Sequence, residues 1–267
     1  MITGSLSTSK GSVRVGGFDV MDDHLKAKKL MGYLPEVVPL YPEMTATEFL
    51  KFAGRLRGLY GKTLSLRMTY VLEACGIKSV QKRLIRSLSK GFRQRIGIAT
   101  ALIHDPRILI LDEPTIGLDP VQIIEIRKLI KSLADEHTVI LSTHILPEVA
   151  STCSRVIIIH RGSIVAEDTV ENLADGLRNT NNIKIRIKTP PLKKDLFISE
   201  LRKIQGVIDI HSKSENEFTI KTPGEIDIRD RIAFAVTTGG QGLLELTLEK
   251  ITLEDVFVKL TTTEEGV

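Results

Sequence analysis

The stretch Ile108-Leu109-Ile110-Leu111-Asp112-Glu113-Pro114 decides how the rest of the chain is read. Residues 107–111 are an almost unbroken apolar run. That is the pattern of a strand buried on both faces inside a parallel sheet, not of a strand with one wet face. Two carboxylates follow at once, and Pro114 ends the strand. Carboxylates are costly to bury unless a cation shares them. Asp112 and Glu113 are therefore candidates to hold a divalent cation and to polarise a water molecule. Taken alone, a strand that runs into a solvated acidic turn has the same sequence.

Working outward, residues 120–134 form an amphipathic helical pattern, with Ile123, Ile126, Leu129, Ile130 and Leu133 inward. Residues 138–142 read as a second buried strand, closed by Ser142-Thr143-His144. An imidazole there lies on the edge of an α/β sheet where ligands bind. Between the two strands, Gly117-Leu118-Asp119 is turn-rich. Residues 146–154 read as a helix. Residues 156–160 and 163–166 pair as a hairpin around Arg161-Gly162. Strands alternating with helices predict a layered α/β domain.

Upstream, Leu88-Ser89-Lys90-Gly91-Phe92 stands at the mouth of a helix over 89–103. A helix N-terminus offers free backbone N–H groups to an anion, although Ser89 also fits as a plain N-cap. Thr45-Ala46-Thr47-Glu48 is a capping box that opens a helix closed by Gly58 and Gly61. A further helix is expected over 66–75. Nearer the start, residues 11–20 read as a strand and a tight turn, 25–30 as a short helix, and 31–34 as a short apolar stretch stopped by Pro35.

The composition narrows the class. The chain has 267 residues, a net charge of +4, 42% hydrophobic and 26% charged residues, so it has ample material for a folded core. No apolar run approaches the roughly 20 residues of a membrane-spanning helix, and no signal peptide is visible at the N-terminus. Cys75 and Cys153 sit in no metal-ligand spacing, and a disulfide framework is not expected. With no Trp and 4% aromatics, no stacking platform for nucleic acid is seen, and no nucleic-acid partner is expected.

Beyond the polar run Asn179-Thr180-Asn181-Asn182, which reads as a linker, the elements follow the order β-α-β-β-α-β. That is the order of a ferredoxin-like unit. A final amphipathic helix is expected over 252–260.

Taken together, order and spacing make residues 1 to about 175 closely resemble ATP-binding cassette (ABC) transporter ATPase subunits. Leu88 to Phe92 resembles the family signature Leu-Ser-Gly-Gly-Gln, with Lys90 and Phe92 departing from it. Asp112 and Glu113 match the Walker B aspartate and the catalytic glutamate, Gly117 to Asp119 the D-loop, and His144 the switch histidine. Glu36 stands where the Q-loop usually has Gln. The resemblance implies a P-loop NTPase core over 1–178, with a helical subdomain inserted at about 45–104. A small α+β accessory domain would follow over 182–267. It also implies ATP and Mg²⁺ as cofactors. Asp112 would hold the metal, Glu113 and His144 would be catalytic, and Ser89, Lys90, Gly91, Glu36 and Asp119 would contact nucleotide. The implied partners are a second ATPase subunit in a homo- or heterodimer and a separate membrane permease, at the cytoplasmic face of the membrane.

One family element is not found. The pattern GxxxxGK[ST] does not occur; Gly61-Lys62-Thr63 fails because Leu56 stands where the first Gly is required. Met1 to Gly4 resembles the end of the P-loop helix. Either Met1 is an internal methionine of a complete ATPase, which the intact later motifs favour, or the chain is a truncated, non-hydrolysing subunit that lends its signature to an intact partner.

Overall fold

The computed structural model describes residues 1–176, 180–224, 226–249 and 252–262. β1 (Arg14–Val15) turns back as β2 (Phe18–Asp19) around Gly16 and Gly17, whose φ values of 58° and 86° suit so tight a hairpin. α1 (His24–Leu30) then leads into β3 (Met31–Leu34). The capping box forms as expected. The Glu48 amide donates to the Thr45 hydroxyl at 3.2 Å, and the Glu48 carboxylate accepts from the Thr45 amide at 2.8 Å. It opens α2 (Ala46–Leu56), which is followed by α3 (Gly61–Ala74), two short 3-10 turns and α4 (Lys90–Leu102). Gly61 does not close α2 but begins α3, five residues ahead of the expected start. Leu64, buried in the core, anchors these extra turns.

β4 (Ile108–Asp112), α5 (Pro120–Ala134), β5 (Thr138–Ser142) and α6 (Leu146–Thr152) complete the first compact unit, Met1–Cys153. The sheet order is β3-β4-β5 with every pair parallel, Leu111 lying beside Leu34 on one side and Leu141 on the other. The largest core packs α2 to α5 on one face of this sheet; a smaller one, with Val15, Val20, Ala27, Met31 and Ile110, covers the other. β4 is the buried central strand its sequence predicts. β5 is not buried as expected. It ends the sheet among the described residues, Val139 and Leu141 are half-buried on the core, and Ile140 is 39% exposed. Its uniformly aliphatic sequence conceals this alternation.

The second compact unit is Ser154–Val267. β6 (Val156–His160) and β7 (Ser163–Asp168) form the expected hairpin, with Arg161 and Gly162 both at positive φ. α7 (Val170–Gly176) packs on β7. β8 (Thr180–Ile187), α8 (Lys194–Arg202), β9 (Asp209–Ser212), β10 (Glu217–Pro223), α9 (Arg229–Thr238) and β11 (Leu243–Glu249) follow, then α10 (Leu253–Thr262). The antiparallel sheet has the order β11-β8-β10-β9, the ferredoxin-like arrangement expected from the element order. α8 and α9 cover one face through Phe197, Leu201, Ile232 and Val236. Most of the polar run that reads as a linker is strand. Asn181 and Asn182 pair with Thr222 and Lys221, and Asn181 Nδ2 donates to the Gly224 carbonyl at 3.0 Å. The division between units falls ahead of the β6–β7 hairpin, because α7 makes its main contacts with β7 and α10. The expected boundary at residue 178, and Asn179, lie outside the described residues.

Candidate functional site

Parallel pairing brings the C-terminal ends of β3, β4 and β5 to one edge, and the register sets Asp112 beside Ser142. Glu113, one residue on, has φ 46°, a left-handed conformation that costs a non-glycine residue about 1 kcal/mol or more. Its amide donates to the Ser142 carbonyl at 2.9 Å, carrying the ladder one step past the strands. The carboxylate is turned onto residues 143–144. Thr143 Oγ1 donates to Oε2 at 3.2 Å, the His144 amide donates to Oε1 at 3.0 Å, and His144 Nδ1 lies 2.7 Å from Oε1. Thr143 Oγ1 in turn accepts from the Ile145 amide at 3.1 Å.

The Glu113 side chain is 15% exposed and that of His144 71%. The carboxylate is thus tucked in and the imidazole faces outward. The hydrogen bond to Glu113, then the Glu113 charge, raise the His144 pKa above its ordinary value; Glu148 and Glu36 add to this through their charges. With Nδ1–H donated to Glu113, Nε2 is left to meet a ligand. Beside them, the Tyr33 phenol is raised by burial first and then by the charge of Asp112 and a hydrogen bond to it. Glu36 is exposed two residues beyond β3.

The remaining predicted residues form a second group at two helix N-termini. Ser89 is the N-cap of α4, its hydroxyl accepting from the Phe92 amide at 3.4 Å. Asp119 caps α5, accepting from the Gln122 amide at 2.9 Å. The two helix ends touch. A β-carbon on Gly91 would stand 2.8 Å from Gln122 Cδ, and one on Gly117 would overlap Lys90 Nζ. Lys90 therefore lays its ammonium on the turn before Asp119. The glycine at 117, with φ 66°, leaves room for it.

Sequence reasoning passed over Thr143 as a ligand of Glu113, Gln122 as the floor under Gly91, and a buried pair of Thr115 and Glu148. Thr143 was signalled by lying next to His144. Nothing in the sequence marks Glu148 as buried.

The family model described as ABC transporter matches residues 1–116. The linearmycin resistance ATP-binding protein LnrL of Bacillus subtilis (strain 168) is 31% identical over 98% of this chain and 84% of its own length. The bacitracin transport ATP-binding protein BcrA of Bacillus licheniformis is also 31% identical, over 97% of this chain and 82% of its own. The chain belongs to the ABC transporter ATP-binding family. Among solved structures, this ABC ATPase resembles cbiO1 of Clostridium perfringens, part of the ABC transporter complex cbiONQ. That likeness has a TM-score of 0.60, 26% identity, and covers 66% of this chain and 72% of the other. A solved ATP-binding subunit of an ABC transporter gives a TM-score of 0.58 at 27% identity, over 66% and 73%. The family couples ATP hydrolysis to transport, and this chain is an ATP-binding subunit of that kind.

The residues present fit part of an ATP and Mg²⁺ site. Among the described residues no cluster of three or more His, Cys, Asp or Glu side chains could hold a metal. The strand-end carboxylate of Asp112 has the chemistry of a Mg²⁺ ligand, since that ion takes one or two carboxylates and completes its shell with phosphate and water oxygens. The GxxxxGK[ST] phosphate cradle is not within these 267 residues. No helix among the described residues is long and apolar enough to cross a membrane.

Proposed function

We propose that this subunit hydrolyses MgATP at the edge formed by β3, β4 and β5 and drives a separate membrane permease, in export. Glu113 orients the attacking water and accepts its proton. Thr143 and His144 hold its carboxylate in place beforehand, so no reorganisation is needed at the moment of reaction. His144 directs Nε2 at the γ-phosphate and stabilises the charge that builds there. Asp112 would hold Mg²⁺, and the ion would supply positive charge to the phosphates. Ser89, Lys90 and Gly91, at the amide-rich start of α4, serve the ATP held by the opposite subunit of a dimer, and Asp119 faces the same junction. Glu36 occupies the loop that senses the nucleotide and passes its state through the helical segment to the permease. The protein works at the cytoplasmic face of the membrane.

The observation that carries this reading is the Glu113–Thr143–His144 cluster next to Asp112, built by register at the ligand-binding edge of a parallel sheet. The test is MgATP turnover by the full-length protein. Glu113→Gln is expected to lower turnover about 100-fold or more while leaving nucleotide binding intact. Unchanged turnover, or loss of binding together with turnover, overturns it.

A further inference from the structure

Glu148 lies on α6, four residues past His144, and is 1% exposed. A carboxylate this deeply buried needs partners, and it has two. Thr115 Oγ1, itself in a residue 2% exposed, donates to Oε2 at 2.5 Å. Arg127 on α5 approaches Oε1 with Nη2 at 3.4 Å. The ion pair is the looser contact, since both Glu148 Oε1 and Arg127 Nε lack a hydrogen-bond partner. The short contact is the one to Thr115.

Thr115 belongs to the turn that carries Glu113. The Ile116 amide donates to the Glu113 carbonyl at 3.2 Å and the Leu118 amide to the Thr115 carbonyl at 3.2 Å, so residues 113–118 are bonded into one turn. This turn is fastened to residues 143–148 at two points. One is half-buried, Glu113 to Thr143 and His144; the other is buried, Thr115 to Glu148. A buried carboxylate of this kind is a poor stabiliser, because an apolar side chain of similar volume packs as well without the desolvation cost. What it supplies is a fixed position.

We propose that Glu148 is a positioning residue: through the Thr115 hydroxyl it holds the start of α6 against the acidic turn and so sets the distance between Glu113 and His144. The same clamp joins the turn leading to Asp119 to the His144 segment, so a displacement of either reaches the other. Glu148 touches no reacting group. The proposal rests on the roles given to Glu113 and His144 above.

The test uses the full chain without nucleotide, so its outcome is independent of the turnover assay. The His144 ring is titrated by NMR in protein with labelled histidines. Thr115→Val removes the hydroxyl and keeps the side-chain volume. The expected result is that His144 titrates lower than in the native protein, because the short bond to Glu113 has slackened. Thr115→Ser, which keeps the hydroxyl, is expected to restore the native titration. The melting temperature records general loosening separately. Thr115→Ala serves if the valine is not tolerated. The proposal is overturned if His144 titrates as in the native protein when the hydroxyl is gone, whatever the melting temperature does. It is overturned equally if the serine variant behaves like the valine one, or if native His144 titrates at the ordinary value.

Discussion

His104 shows how one side chain ties stability to pH. Its Nε2 lies 3.0 Å from the Met31 carbonyl, while Nδ1 is buried with no partner. Burial, and then the nearby Arg57 charge, push its pKa down to about 4. A proton on Nδ1 would have nothing to bond. In the unfolded chain the same imidazole takes up its proton near pH 6.5. The unfolded state therefore binds more protons between those values. Stability is full above pH 6.5 and falls as the pH drops towards 4, by about 2–3 kcal/mol in all. Urea midpoints at pH 7.5 and 5.0 check this. His104→Gln is expected to flatten the part of the slope that carboxylates do not account for, and an unchanged slope contradicts the assignment. At this scale the sequence was informative where chemistry is written in adjacent residues. Asp112-Glu113, Ser89 and His144 stand out because each closes or opens an element. Thr115 and Glu148 do not, because their contact spans 33 residues and exists only once β4 and β5 are in register.

The elements depend on how closely α4 approaches β3. A β-carbon on Gly32 would overlap the Ala101 carbonyl and stand 2.9 Å from Leu109 Cδ2, and one on Gly97 would stand 2.6 Å from Leu34 Cδ1 and from Val38 Cγ1. Two glycines, one on the strand and one on the helix, let the pair touch through backbone. Gly32→Ala cannot be relieved by a side-chain rotation, since the obstacle is a backbone carbonyl in the last turn of α4. The expected loss is about 2–3 kcal/mol, read from the urea midpoint. A loss under about 0.5 kcal/mol would mean that α4 shifts freely on the sheet, and the Ser89 end of that helix would not be held as described. Caps and periodicity made most elements legible, including the Thr45 box and the β-α-β-β-α-β order. Exposure was not legible for β5, because Val139, Ile140 and Leu141 are aliphatic on both faces and sheet order alone decides which face is covered. Gly61 misled for a related reason: glycine marks a break in either direction, and only the burial of Leu64 shows that a helix begins there.

At the scale of the molecule there are two units with separate cores, one over Met1–Cys153 and one over Ser154–Val267. The second is centred on Phe218, fully buried on β10, with its ring centroid 5.2 Å from that of Phe197 on α8. Phe218→Ala removes one of the two phenylalanines of that core, the fully buried one, and is expected to cost it about 3–5 kcal/mol. The sequence supplies a way to see which unit pays. All four tyrosines, Tyr33, Tyr41, Tyr60 and Tyr70, lie in the first unit, and the chain has no Trp. Tyrosine emission therefore reports the first unit alone, whereas far-ultraviolet circular dichroism reports both. In urea, Phe218→Ala is expected to leave the tyrosine midpoint in place and to add an early phase to the dichroism trace. If both probes shift together, the units unfold as one cooperative body. A change in the second unit would then weaken the Glu113–His144 edge as well, although no catalytic residue assigned here belongs to it.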